Sequence, residues 1–305
     1  MRRWWFILKQ SGSEFLADNG MKLSASLSYY TIFSIGPVLI LLISFAGILF
    51  GKDAVKGKLF YQLNGLVGNS AALQIQEIIQ NIEQSQFTTS GAILGVTVLI
   101  IGATGVFAEI QDSINYIWAL KAKPKKGWLK LLINRLLSFS LIVSFGFVLM
   151  VSLAIHAVMD LLYDKLARLF KDTIVIIFQA TNYIVLFAVI STLFAIIFKV
   201  LPDGKIRWRD AYVGAIFTAI LFLFGKFIIG FYLGQSSIGD TFGAAASIVI
   251  VLVWVYYSSI ILYFGAEFTK VYTLEYGQGI KPDETAVFIV KQEVKELKTR
   301  KTMHH

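Results

Sequence analysis

Six stretches of this chain are apolar for long enough to cross a lipid bilayer, and no other feature restricts its possible folds as much. Crossing about 30 Å of hydrocarbon takes about 20 helical residues. Residues 31–50, 91–107, 136–159, 173–198, 211–233 and 243–268 meet or approach that length. The second is the weakest by length, and its pattern continues as helix through Glu109 to Trp118. Runs such as Ile248–Tyr257 lack the strict alternation of membrane β-strands. Only 15% of the 305 residues are charged, against about 25% in soluble domains, so two soluble domains would lack polar surface. The fold class expected is all-α: a polytopic six-transmembrane-helix bundle. An amphipathic N-terminal interfacial helix and an extracytoplasmic amphipathic helix accompany it. Residues 1–22 form a cytoplasmic arm, 23–272 the membrane domain and 273–305 a cytoplasmic tail. His304 and His305 have the look of a purification-tag remnant. Met1–Met21 is polar and basic, unlike a cleavable signal peptide.

Lys and Arg set the orientation of such a bundle by their excess on the cytoplasmic side. Four lie in the N-terminal arm, six between Lys121 and Arg135, four between Lys199 and Arg209, and seven beyond Phe268, which makes 21. The other side carries 7, namely three at Lys52–Lys58, three at Lys165–Lys171, and Lys226. Both termini are therefore expected in the cytoplasm. The net charge of +9 is then a consequence of topology, not a sign of nucleic-acid binding. Met1–Lys9 adds two tryptophans to three cations, a pattern for a helix lying among anionic headgroups. Outside, Ile75, Ile78, Ile79 and Ile82 line one face of an amphipathic helix over 69–86, with Ser70 as its N-cap. Asp283–Lys301 alternates acids and bases and is expected to be a solvated or frayed helix.

Ionisable residues in or near membrane spans are costly without partners and are the best pointers to function. Glu109, Asp112 and Tyr116 share one face of the second helix, with Gln111, Asn115 and Trp118 on the neighbouring one. Glu267 of the sixth helix counts to a similar depth, and Arg135 opens the third helix on the same side. A charged vestibule or gate is one reading of Glu109, Asp112, Asn115, Arg135 and Glu267. Interface charges that hold the bundle together are the other. Lys226 interrupts an apolar run and either snorkels to the outer headgroups or faces a cavity suited to an anionic headgroup. His156 lies near the outer end of the third helix with no second ligand, and reads as an interfacial residue. Gly36 and Pro37 predict a kink in the first span. Gly91, Gly95, Gly102 and Gly105 in the second helix, and Gly243–Ser247 at the start of the sixth, mark close helix packing or line a route through it.

The sequence has no cysteine, and no phosphate-binding loop, serine-hydrolase elbow or H-E-x-x-H motif. No catalytic residue, metal site or cofactor is expected, and an enzyme is the least favoured class. Four segments, Leu23–Leu42, Ala103–Trp118, Leu201–Ala215 and Phe242–Phe268, together resemble the YihY/BrkB family of bacterial inner-membrane proteins. The resemblance covers Leu23 to about Tyr272. It implies six spans, cytoplasmic termini and a link to virulence and envelope lipid traffic. The family also carries a ribonuclease label, which this sequence does not support, lacking a metal cluster or a carboxylate site in a soluble domain. The function expected is a transporter or flippase for an amphiphilic, lipid-related substrate, with no ATPase of its own. The alternative is a non-transporting scaffold of envelope machinery. Expected partners are membrane lipids and an anionic amphiphile. A homo-oligomer is compatible with the sequence, and nucleic acid is not expected.

Overall fold

The computed structural model describes residues 2–34, 69, 72–77, 105–123, 171–235, 242 and 246–291. The third predicted span, nearly all of the first and most of the second lie outside the described residues, as do Gly36, Pro37, Arg135 and His156. The helices are α1 (Arg2–Ala17), α2 (20–34), α3 (105–117), α4 (Lys171–Val200), α5 (Trp208–Gln235) and α6 (Ala246–Tyr276). A further helical piece covers 72–77, with Ala72 and Ile75 buried, within the predicted outer amphipathic helix.

Among the described residues, three helices are long and apolar enough to cross a membrane: Ala180–Val200, Trp208–Leu233 and Ile248–Tyr276. They coincide with the last three predicted spans. Only 28–39% of each is buried within the protein, so most of their apolar surface faces outward. A helix that is apolar on all sides and mostly uncovered is suited to lipid.

α5 and α6 pack antiparallel through small residues. A side chain at Gly214 would run into Thr269, and one at Gly265 into Thr218. Each threonine turns its hydroxyl back onto its own helix, Thr218 Oγ1 donating to the Gly214 carbonyl and Thr269 Oγ1 to that of Gly265, both at 2.7 Å. The hydroxyl oxygen of each lies nearest the glycine opposite, with its Cβ and methyl group just behind. Further along, Gly225 lies against Tyr257 and Ile261.

At the other end of the spans the chain becomes polar. Asn19, at φ 56°, ends α1 in the left-handed conformation that Asn tolerates at helix C-termini. Gly20 follows because the Phe15 ring occupies the space a Cβ would need. α1 then lies against α5 and α6, with Ile7 buried among Val213, Phe217, Phe268, Val271 and Tyr272.

The tail departs from expectation over its described part. Instead of a helix from Asp283, it forms two short strands that clip the loops after α3 and α4. β1 (Leu120–Ala122) pairs antiparallel with β4 (Ala286–Phe288), and β2 (Gly204–Lys205) with β3 (Lys281–Pro282). Gly279, at φ 76°, helps the chain leave α6. Pro282 cannot donate a helical hydrogen bond, and Ala286–Val290 is rich in residues that favour strands. Residues beyond Lys291 lie outside the described set.

Candidate functional site

A single turn of α6, Gly265–Lys270, meets three neighbours. Gly265 and Thr269 face α5, while the Ala266 carbonyl accepts from Trp118 Nε1 at 3.1 Å. Glu267 and Lys270 take part in a charged cluster with α1. The Lys270 ammonium lies 3.2 Å from Glu267, 2.6 Å from Glu14 and 3.6 Å from Asp18. From the tail, Lys291 reaches the other Asp18 oxygen at 2.6 Å and sits 4.0 Å over the Tyr116 ring. Three carboxylates thus share two ammonium groups.

Glu267 is fully buried, and its carboxyl lies against that of Asp18 as well as the Lys270 ammonium. It stands nineteen residues from Ile248, the start of the span, which is roughly 29 Å along a helix. That depth is the edge of the hydrocarbon layer, where burial of a carboxylate is possible but needs cations close by.

A second polar group anchors α3. Its buried amides Gln111 and Asn115 donate to the Asp203 carboxylate at 3.0 and 2.8 Å, and Asn115 Oδ1 accepts from the Asp203 backbone N–H at 2.8 Å. Asn115 therefore uses both ends of its amide on one residue. The clamp fixes the Leu201–Asp203 turn from which β2 and α5 depart. Beside it, Tyr263 of α6 lies close to Ser113 and Glu109.

The expected site residues are placed as follows. The two faces of the second helix are as predicted, and it is the Gln111–Asn115–Trp118 face that is buried, while Asp112 and Tyr116 are exposed and Glu109 is half-buried. The charged neighbours of Glu267 are Lys270 and Asp18. Asn115 serves the loop clamp. Lys226 is half-buried, with its ammonium 5.4 Å over the Phe227 ring. Its neighbour Gly225 meets Tyr257, ten residues from Glu267, so the lysine sits roughly 15 Å further into the membrane. Glu14, Asp18, Lys270, Lys291 and Asp203 were not singled out from the sequence. The spacing of Glu14 and Asp18 at i, i+4, below Ile7 and Ser11 on the same face, was the signal available for two of them.

Against known protein families, residues 12–288 match the model described as "Virulence factor BrkB". The chain belongs to this family. The match extends beyond Tyr272 and takes in β3 and β4. Among curated relatives are UPF0761 membrane proteins of Verminephrobacter eiseniae (28% identical, 84% of this chain and 59% of the relative), Azotobacter vinelandii (26%, 83% and 60%) and Vibrio vulnificus (27%, 80% and 74%). The chain spans about three-fifths of the length of the first two. No solved structure matches. This chain is an integral membrane protein of the BrkB family.

Proposed function

We propose that this BrkB-family protein lies in the bacterial plasma membrane with both termini in the cytoplasm. There it moves an amphiphilic, lipid-related substrate between leaflets or across the bilayer, as a flippase or transporter without an ATPase of its own. The observation that carries this reading is Glu267, a carboxyl group wholly buried in the last third of a membrane-spanning helix and set against a second acid, Asp18. Ionisable groups inside membrane proteins concentrate along substrate and ion pathways. In this reading α1 is the gate: it closes against α6 through Glu14, Asp18 and Lys270, and opens when that cluster parts. Glu109 and Asp112 extend the acidic entrance along α3, and Lys226 receives an anionic headgroup further in. Without an ATP-binding motif, transport runs down the substrate gradient or is coupled to an ion.

The competing reading is a scaffold. It draws support from the same cluster, because ion pairs joining α1, α6 and the tail also suit a structural brace. Vesicles reconstituted with the protein and a fluorescent phospholipid separate the two. As a flippase, the wild type exposes inner-leaflet label to an impermeant quencher faster than empty vesicles do, and Glu267→Gln and Lys226→Met insert normally but lose that activity. Wild-type vesicles no faster than empty ones, with labelled lipids and osmolytes alike, would leave the scaffold standing. For orientation, the cysteine-free background allows single cysteines at Gln235 and Lys125. Labelling from outside intact cells at Gln235 alone is expected, and labelling at Lys125 would reverse the assignment.

A further inference from the structure

Beside the charged cluster, and separate from it, the polar end carries an open pocket of about 340 Å³. It is lined by Arg3, Trp4 and Ile7 of α1, Arg209 of α5, and Tyr272 and Tyr276 of α6. None of the six is acidic. We infer that this pocket binds the phosphate of an anionic membrane lipid, whose acyl chains lie along the outer face of α5.

The two arginines come from the first turns of different helices, so the docking of α1 brings them to one cavity. Two guanidinium groups around one space repel each other, unless an anion joins them. Guanidinium is the side-chain group best matched to phosphate oxygens, because its planar fork offers paired donors. Tyr272 and Tyr276 line one wall of the same cavity. That wall is firm. Trp4 stacks on Tyr272 at 6.2 Å and on Phe268 at 6.3 Å, and Tyr276 continues the row 5.9 Å from Tyr272.

A free phosphate would need no apolar surface near the pocket, whereas a lipid would. Such a surface runs from Arg209 itself. Tyr212, Ile216, Ile220 and Phe224 follow it at i+3, i+7, i+11 and i+15, and all four are exposed. Those spacings keep one stripe of a helix, which here points along the span into the hydrocarbon. On the other flank Trp5 is 70% exposed, as expected of an indole seated among headgroups. Basic pockets at this level of a membrane protein hold lipid headgroups by the same chemistry. The inference stands on the pocket alone and does not depend on whether the protein transports anything.

The test uses the full-length protein in detergent, with bound lipid counted by native mass spectrometry. Phosphatidylglycerol should be retained, and phosphatidylcholine should bind at least about tenfold more weakly. Inorganic phosphate at equal concentration should not displace phosphatidylglycerol. Arg3→Gln combined with Arg209→Gln should weaken phosphatidylglycerol binding at least about tenfold, and Arg209→Lys should lose less because it keeps the charge. Equal binding of the two lipids overturns the inference. So does a double variant that binds like the wild type. Displacement by inorganic phosphate overturns the lipid assignment in favour of a soluble anion. If the double variant cannot be purified, Arg209→Gln alone and the two-lipid comparison on the wild type decide the matter.

Discussion

α6 meets α5 on one side of its Gly265–Lys270 turn and α1 on the other, and the two seams are made by opposite means. Toward α5 the residues carry no charge, Gly265 opposite Thr218, Thr269 opposite Gly214, and Phe268 stacked on Phe217 at 3.8 Å. Toward α1 they are charged and aromatic, with Lys270 among three carboxylates and Phe268 under Trp4. The difference follows from solvent. Lipid tails are as apolar as the helices, so no hydrophobic gain draws α5 to α6, and close fit has to do so. α1 lies where the spans end. There the pairing of charges selects one neighbour and one angle, which apolar contact alone would leave open. The shape-built seam should therefore fail when atoms are added, and the charge-built seam when a charge is removed.

The largest effect is expected at the charged seam. Lys270→Met leaves Glu14, Asp18 and Glu267 with Lys291 alone, and Glu267 has no exposure through which water could replace the lost cation. Breaking a buried ion pair from one side costs about 3–5 kcal/mol. The low end, about 3 kcal/mol, applies here because the Lys270 side chain keeps 14% exposure. A lowered unfolding midpoint in detergent, with Lys270→Arg near the wild type, is the expected result. A midpoint unchanged in Lys270→Met would show that the aromatic stack holds α1 by itself.

A smaller loss is expected at the other seam. Gly265→Val sets a branched side chain against Thr218 at a place where even one Cβ does not fit. Overpacking of this kind costs about 1–3 kcal/mol. Gly265→Ala should lose less, and adding Thr218→Ala to it should recover part of the loss, because the obstructing hydroxyl and methyl are gone. Stability equal to the wild type in Gly265→Val would mean that the two helices can separate at no cost, contrary to the close fit.

The same contrast explains what could be read from the sequence. The last three spans were legible as α4, α5 and α6, since apolarity on all sides is a local signal that lipid alone requires. α6 nevertheless runs on to Tyr276, past the expected end at Phe268. Glu267 was legible too, because it stands out against the apolar run around it. Its partners were not. Glu14 and Asp18 sit in an arm that reads as a surface helix, and only the docking of that arm on α6 turns them toward Glu267. Asn115 and Gln111 were recognisable as one face, but their partner Asp203 is 88 and 92 residues away. The tail shows the limit most clearly. Its alternating charges suggest a helix, while strands of two or three residues carry no periodicity of their own and exist through partners at 120–122 and 204–205.

The smallest effect is expected at a third kind of contact, a charge pair in open water. Lys205 and Asp283 meet at 3.0 Å across the β2–β3 ribbon, with side chains 66% and 36% exposed. The hydrogen bond to Asp283, and then its charge, raise the Lys205 pKa above its ordinary 10.5. A base whose folded pKa is raised lends its stability fully below the unfolded value and loses it as pH climbs through the folded one. The lysine's contribution is thus constant from about pH 6 to 9, and is lost as the ammonium deprotonates in strong alkali. It is also small, because water and salt screen an exposed pair and holding two long side chains together opposes it. The ribbon has other ties, among them the Asp283 backbone N–H donating to the Asp203 carbonyl at 3.0 Å. Lys205→Gln should therefore leave the unfolding midpoint where it is, at low and high salt alike. A drop comparable to that of Lys270→Met would mean that this pair is shielded from water in the membrane-bound protein, and that burial does not divide the charged contacts at this end in the way the α6 seams suggest.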